Sequence, residues 1–262
     1  MITSELIRQA LLRGGRRPTV GGQSGTSRRR GDGYEFAELR SYVSGDDPRR
    51  IDWAATARAG SLQTRVVLEE HALILAVIVD DSASMHLGRE RSRLVEAQAS
   101  MHIWYSCAQT GDRCLRIGSA ELAPSIHTSC PTPELAAALR TATAILPPGS
   151  ALLVISDMHA TLDPEAVMVL GARHDCTFLL ARDPWHAGLP LRGLVRLEDS
   201  ENGSQRVVFI DTQAAQKYVA AVQAREAELE ARFTAAGWRW GLLDGDPEAA
   251  LRAAFVPSRW QP

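Results

Sequence analysis

Two carboxylates and two hydroxyls fall within five residues at Asp80-Asp81-Ser82-Ala83-Ser84. They follow LILAVIVD (residues 73–80), a short continuous apolar run of the kind buried on both faces of a parallel sheet. A second such run, ALLVISD (151–157), ends in Ser156 and Asp157. Carboxylate and hydroxyl oxygens without sulfur or imidazole make a hard donor set. Such a set suits Mg²⁺ or Mn²⁺, which keep several waters and leave a position for an outside ligand. In the Asp80-x-Ser82-x-Ser84 spacing, alternate side chains of a tight loop point the same way. Asp and Ser are also ordinary turn and cap residues after a strand. The second acid, after a second buried strand, is what favours a site.

Those strands need a frame to bring their ends together. From residue 73 the chain alternates strand and helix. Helices are expected at 90–109, 133–146, 164–173, 212–236 and 247–255. Strands are expected at 114–119, 151–157, 176–181 and 238–244, with an antiparallel edge strand at 121–128. A hairpin is expected around Asn202-Gly203. This alternation predicts an α/β fold, a doubly wound and mostly parallel sheet of Rossmann type. In the strand order 3-2-1-4-5-6, the first and fourth strands are neighbours where the order reverses, and ligands bind outside their carboxyl ends. Here those two strands carry Asp80 and Asp157.

Three segments are expected: residues 1–33, 34–72 and 73–256. The first is a short amphipathic helix (3–13) and a flexible basic stretch. Up to residue 30 it has seven Arg against Glu5 alone. No aromatic residue interleaves for base stacking, so nucleic-acid contact is not expected. The second is a turn-rich cassette containing GDDPRRIDW, with one strand in SLQTRVVLEE. In that block Asp47 is a cap with Pro48 at the first helical position. Arg49 and Arg50 can fork carboxylates, Asp52 can answer one of them, and Trp53 anchors the block on the sheet. A salt-bridge cluster fixing the cassette and a partner-facing surface are the two readings of these five residues.

Composition narrows the function further. The 262 residues carry a net charge of -2, and Lys217 is the only lysine beside 28 arginines. Cys107, Cys114, Cys130 and Cys176 form no CxxC pair, as expected of reduced, packed thiols in the cytoplasm. No run of 18 apolar residues predicts a membrane span, and the first residues lack the apolar core of a signal peptide. No GxxxxGK[ST] phosphate loop occurs, and no GxSxG nucleophile elbow follows a strand.

The DxSxS after the first strand and the Asp after the fourth resemble the von Willebrand factor A fold and its metal-ion-dependent adhesion site. Residues 34–85 resemble, more specifically, the bacterial "domain of unknown function 58" family. The carrying residues are Tyr34-Glu35-Phe36, Leu39-Arg40-Ser41-Tyr42, the Gly45–Trp53 block, Ala57-Arg58-Ala59-Gly60, Glu69-Glu70 and Asp80–Met85. The resemblance implies a von Willebrand A-like core and a metal site of Asp80, Ser82, Ser84 and Asp157. Thr132 is the best-placed threonine to complete it, and Thr128 the alternative. A partner carboxylate at the open metal position is implied as well. So is a non-enzymatic adaptor working with a MoxR-type AAA+ ATPase in the assembly or maturation of other proteins. The alternative is a metal-dependent hydrolase or phosphotransferase using Asp80, Asp81 and Asp157. For that reading the sequence supplies acids but no clear general base.

Overall fold

A computed structural model describes residues 2–14, 35–43, 46, 48–68, 73–87, 92–118, 128–130, 134–159, 162–200 and 203–256. Expectations for Asp47, Thr132 and the basic stretch at 15–34 therefore lie outside the described residues. Arg50, Thr128 and Cys130 are described in backbone only. The chain divides into two compact units, Thr19–Ala72 and Met1–Pro18 with Leu73–Pro262. Among the described residues no helix is long and apolar enough to cross a membrane.

Helix α1 (Ile2–Gly14) belongs to the larger unit. Its apolar face buries Ile7 and Leu11 in the main core. Arg8 extends from it to pair with Asp112 and to donate to the Cys107 carbonyl at 3.0 Å. The same Asp112 accepts from the Leu73 and Gln109 N–H groups at 2.6 and 2.8 Å. Burial works to raise this carboxyl, but those two N–H groups and Arg8 together hold it below its ordinary value.

In the smaller unit, β1 (Glu35–Ser41) pairs antiparallel with β2 (Gln63–Leu68), with a register shift between Phe36 and Glu38. Between them lie a 3₁₀ turn at Pro48–Arg50 and helix α2 (Trp53–Ala59). Strand β1 was not expected. Its EFAELRS sequence mixes charges with few apolar residues and shows no period-two stripe. Asp52, two residues past Arg50, caps α2 by accepting from Ala55 N–H at 2.9 Å. Arg40 and Asp46 form an ion pair at 2.6 Å, a contact that the sequence pattern did not single out.

Trp53 stands 69 % exposed on the first turn of α2, and Ala55 is the buried residue of that helix. The helix is only seven residues long, so one small side chain is enough to seat it. Trp53→Ala is accordingly expected to change stability by no more than about 0.5 kcal/mol, as for an ordinary surface site. Urea unfolding checks this, and a loss of several times that value would support the anchor.

The larger unit holds six parallel strands: β3 (Ile74–Val79), β4 (Arg113–Ile117), β5 (Thr128–Cys130), β6 (Ala151–Ser156), β7 (Asp175–Ala181) and β10 (Arg239–Leu243). Their order across the sheet is β10-β7-β6-β3-β4-β5, which is the 3-2-1-4-5-6 order of a doubly wound fold. Strands β3, β6 and β7 are buried almost throughout, which is why they read as continuous apolar runs. The edge strand differs from expectation. Its described part, Thr128–Cys130, runs parallel to β4 and not antiparallel, with Leu115 opposite Thr128; the expected segment before it, 121–127, lies outside the described residues.

Each face of the sheet is covered. Leu75, Val77, Val79, Leu153 and Ile155 meet α1, α3 (Arg93–Tyr105) and α7 (Pro247–Phe255). Ala76, Ile78, Leu152, Val154 and Phe178 meet α4 (Leu135–Ile145), α5 (Pro164–Arg173) and the end of α6 (Thr212–Ala235). Helices α5 and α7 begin with proline behind an aspartate cap, a combination that favours a helix start. A separate hairpin joins β8 (Gly193–Glu198) to β9 (Gln205–Ile210).

Candidate functional site

The sheet brings the carboxyl ends of β3 and β6 side by side, with Val79 opposite Ile155 and the Asp80 N–H donating to the Ile155 carbonyl at 2.9 Å. Asp80 and Asp157 therefore leave adjacent strands at the point where strand order reverses, and both are buried.

Asp80 is held by its own neighbours. Its Oδ1 accepts from the Ser82 N–H at 3.0 Å, and its Oδ2 from the Ser156 hydroxyl at 2.6 Å. The Ser156 Oγ in turn accepts from the Met158 N–H at 2.8 Å. Ser82 leads into a 3₁₀ turn at Ala83–His86, and its Oγ lies 3.1 Å from that of Ser84. The alternate side chains of Asp80, Ser82 and Ser84 thus converge, as their spacing predicts. Asp81 faces outward, with its Oδ1 3.1 Å from the His86 Nε2.

Asp157 has a different partner. Its side chain is wholly buried, and its Oδ2 accepts from Arg93 Nη1 at 2.6 Å. Its Oδ1 accepts from the His159 N–H at 3.3 Å. The other arm of the same guanidinium, Nη2, lies 3.3 Å from Asp183 Oδ2. Arg93 is the first residue of α3, next to the capping Ser92. Asp183 follows β7, and its Oδ1 accepts from the Trp185 N–H at 2.8 Å. One arginine thus ties the end of β6 to the loop after β7.

The residue after Asp157 is Met158, the sole non-glycine residue with positive φ among those described, at 59°. A methionine there is strained. It is buried, and its carbonyl accepts from Arg225 of α6. Strain beside a buried acid at a strand end is the kind of feature that marks a binding crevice.

Sequence reasoning placed Asp80, Ser82, Ser84 and Asp157 at one end of two neighbouring strands, and the structure has them there. It missed Ser156 as a partner of Asp80, and it missed Arg93 and Asp183. A signal for Asp183 was present: VIVD, VISD, LLARD and GLLD all close a strand with an acid. No signal for Arg93 was comparable, because it is one of many arginines and its contact spans 64 residues.

The donor set has the hardness that Mg²⁺ or Mn²⁺ prefers, and one of its carboxylates, Asp157, already faces a cation of this chain, Arg93. Both oxygens of Asp80 and both of Asp157 already accept hydrogen bonds, one of them from a guanidinium. No cluster of three or more His, Cys, Asp or Glu side chains suited to a metal occurs among the described residues.

A buried histidine, His174, and a half-buried one, His186, give the unit an acid-sensitive stability. Burial, and then Arg173, push His174 down to about 4. Burial, and then Arg93, push His186 down to about 4. Both fall below the ordinary value of 6.5, so between about 4 and 6.5 the unfolded chain binds more protons than the folded one. Stability is therefore expected to be full above pH 6.5 and to fall as pH drops towards 4. Thermal unfolding across that range checks this. His174→Gln should flatten the slope, and an unchanged slope would remove His174 as its source.

The family model described as "Protein of unknown function DUF58" matches residues 38–228. The chain belongs to the DUF58 family. The DUF58 match takes in Asp80, Ser82, Ser84, Arg93, Asp157 and Asp183, and leaves α1, β10 and α7 outside it. Uncharacterized proteins of Mycobacterium bovis and Mycobacterium tuberculosis are 26% identical over 224 residues, 76% of this chain and 71% of each relative. The crystal structure of an aerotolerance-related membrane protein from Bacteroides fragilis is similar at a TM-score of 0.41 and 15% identity. It spans 70% of this chain and 96% of that one, a likeness too slight to bear on the site.

Proposed function

We propose that this DUF58 chain is a non-enzymatic protein-interaction module whose contact site is the crevice at the carboxyl ends of β3 and β6. The observation that carries the reading is the convergence of Asp80, Ser82, Ser84 and Asp157 on adjacent strand ends, at the switch point where doubly wound sheets bind their ligands. The von Willebrand A-like assignment, the adaptor role and the MoxR-type AAA+ ATPase as partner rest on the resemblance of residues 34–85. The exposed Asp81 and the half-buried Ser82 at this crevice offer polar groups to a docking surface. The hydrolase or phosphotransferase alternative needs Asp80 and Asp157 as acids available to a substrate, whereas each is engaged by groups of this chain.

The test is affinity capture of the tagged full chain from its native lysate, in Mg²⁺ and in EDTA, beside an Asp81→Arg variant. An AAA+ ATPase recovered with the natural chain and lost with Asp81→Arg supports the reading. Equal recovery by both moves the contact away from this crevice, and recovery of no AAA+ ATPase overturns the partner.

A further inference from the structure

We propose that Arg93 is the resident cation of the strand-end crevice and keeps a divalent ion out of it. The inference takes from the functional reading only the importance of this crevice, since its test needs no partner.

Three observations carry it. The first is the bridge itself. Arg93 Nη1 lies 2.6 Å from Asp157 and Nη2 lies 3.3 Å from Asp183, so one guanidinium serves acids from two strand ends. A guanidinium is charged at every pH that a protein survives, and its planar fork suits two acceptors. The second is burial. The Asp157 side chain is wholly buried and that of Arg93 is 11 % exposed. A carboxylate so placed needs a compensating charge, and the fold supplies one from its own sequence. The third is position. Arg93 opens α3, where the helix N-terminus already carries positive potential. That end of a helix disfavours a cation, so Arg93 is retained there against the field by the two acids facing it. A divalent ion at Asp157 would add two further charges beside both the guanidinium and the helix end. The remaining acid of the crevice, Asp80, accepts from Ser82 and Ser156 and is not presented to an ion either.

The crevice therefore has its cation placed at folding. Contacts made through it are expected to be indifferent to Mg²⁺ supply, unlike those of a metal-ion-dependent adhesion site.

The deciding experiment titrates the full chain with Mn²⁺, followed by calorimetry and by the electron paramagnetic resonance of free Mn²⁺. The natural chain is expected to show no saturable binding at millimolar Mn²⁺ and the same Tm with and without EDTA. The double variant Arg93→Gln/Asp183→Asn removes one charge of each sign. It is expected to show saturable binding at millimolar Mn²⁺ that the natural chain lacks, because the cation removed touches Asp157 at 2.6 Å, whereas Asp183 meets Asp157 only through that cation. That binding should disappear when Asp80→Asn is added. Circular dichroism establishes that each variant is folded, and Arg93→Gln alone replaces the double variant if the latter is not. Saturable Mn²⁺ binding by the natural chain, lost on Asp80→Asn, would overturn the proposal. A folded variant without Arg93 that still ignores Mn²⁺ would overturn it too, since something other than Arg93 would then exclude the ion. Neither outcome depends on whether an ATPase is captured.

Discussion

Arg93→Leu is expected to lower the free energy of unfolding by about 3–5 kcal/mol, because it leaves the wholly buried Asp157 carboxylate without its counter-charge. The lost Coulomb attraction is the smaller part of that figure. Most of it is the expense of keeping an ion in a site from which water is excluded, which the fold meets only while the guanidinium is present. Asp183 is affected less, since its side chain stays partly solvated and also accepts from the Trp185 N–H. The sign reverses when both members are removed. Arg93→Leu/Asp157→Leu discards the pair together with its desolvation, and an apolar replacement of comparable volume is often neutral or stabilising. The double variant is therefore expected to recover much of the single variant's loss. Urea midpoints at constant m, read as a double-mutant cycle, measure this coupling. Additive losses in the cycle would mean that Arg93 and Asp157 act independently.

Gly171→Ala carries the second large expectation. Gly171 lies in the interior of α5, where alanine is favoured over glycine by about 1 kcal/mol on propensity alone. Packing opposes this. A Cβ at position 171 would overlap the Ala236 carbonyl oxygen and come within 2.9 Å of the Trp238 ring. The obstacle is backbone on one side and, on the other, a tryptophan fixed by its Nε1–H, which donates to the Val167 carbonyl at 2.9 Å. Neither yields without moving α5 off the sheet. A net loss of about 3 kcal/mol is expected, at the upper end of the usual range for overpacking. Gly188→Ala is the control: a Cβ there meets nothing within 4 Å, and its effect should stay within about 0.5 kcal/mol. A Gly171→Ala protein as stable as the natural one would mean that α5 can slide.

The contrast between Gly171 and Arg93 shows what the sequence could and could not disclose. Strands β3 and β6 were legible because burial on both faces demands unbroken apolar runs. The starts of α5 and α7 were legible because an aspartate cap and a proline act within one turn. The strand order then placed Asp80 beside Asp157 without any tertiary knowledge. Strand β1 was hidden because a two-stranded ribbon does not impose alternation on its sequence, and EFAELRS carries three charges. Trp53 was hard to place because a large aromatic residue normally implies a core, while α2 seats itself through Ala55. Arg93 was hidden because its role is set by partners 64 and 90 residues away. A long-range ion pair leaves no periodicity, cap or spacing to read.

The docking of α1 sets a timetable for biosynthesis. Its buried Ile7 and Leu11 share a cluster with Leu251 and Phe255 of α7, and Thr3 accepts a hydrogen bond from Arg252 at 3.2 Å, 249 residues away. A ribosome adding about 5–20 residues per second needs roughly 12–50 s to make the stretch between them. For that interval α1 has only part of its binding surface. Contacts of such sequence separation form late and slow folding. Helix α1 thus waits for α7, and completion of α7 is the event that lets it seat fully.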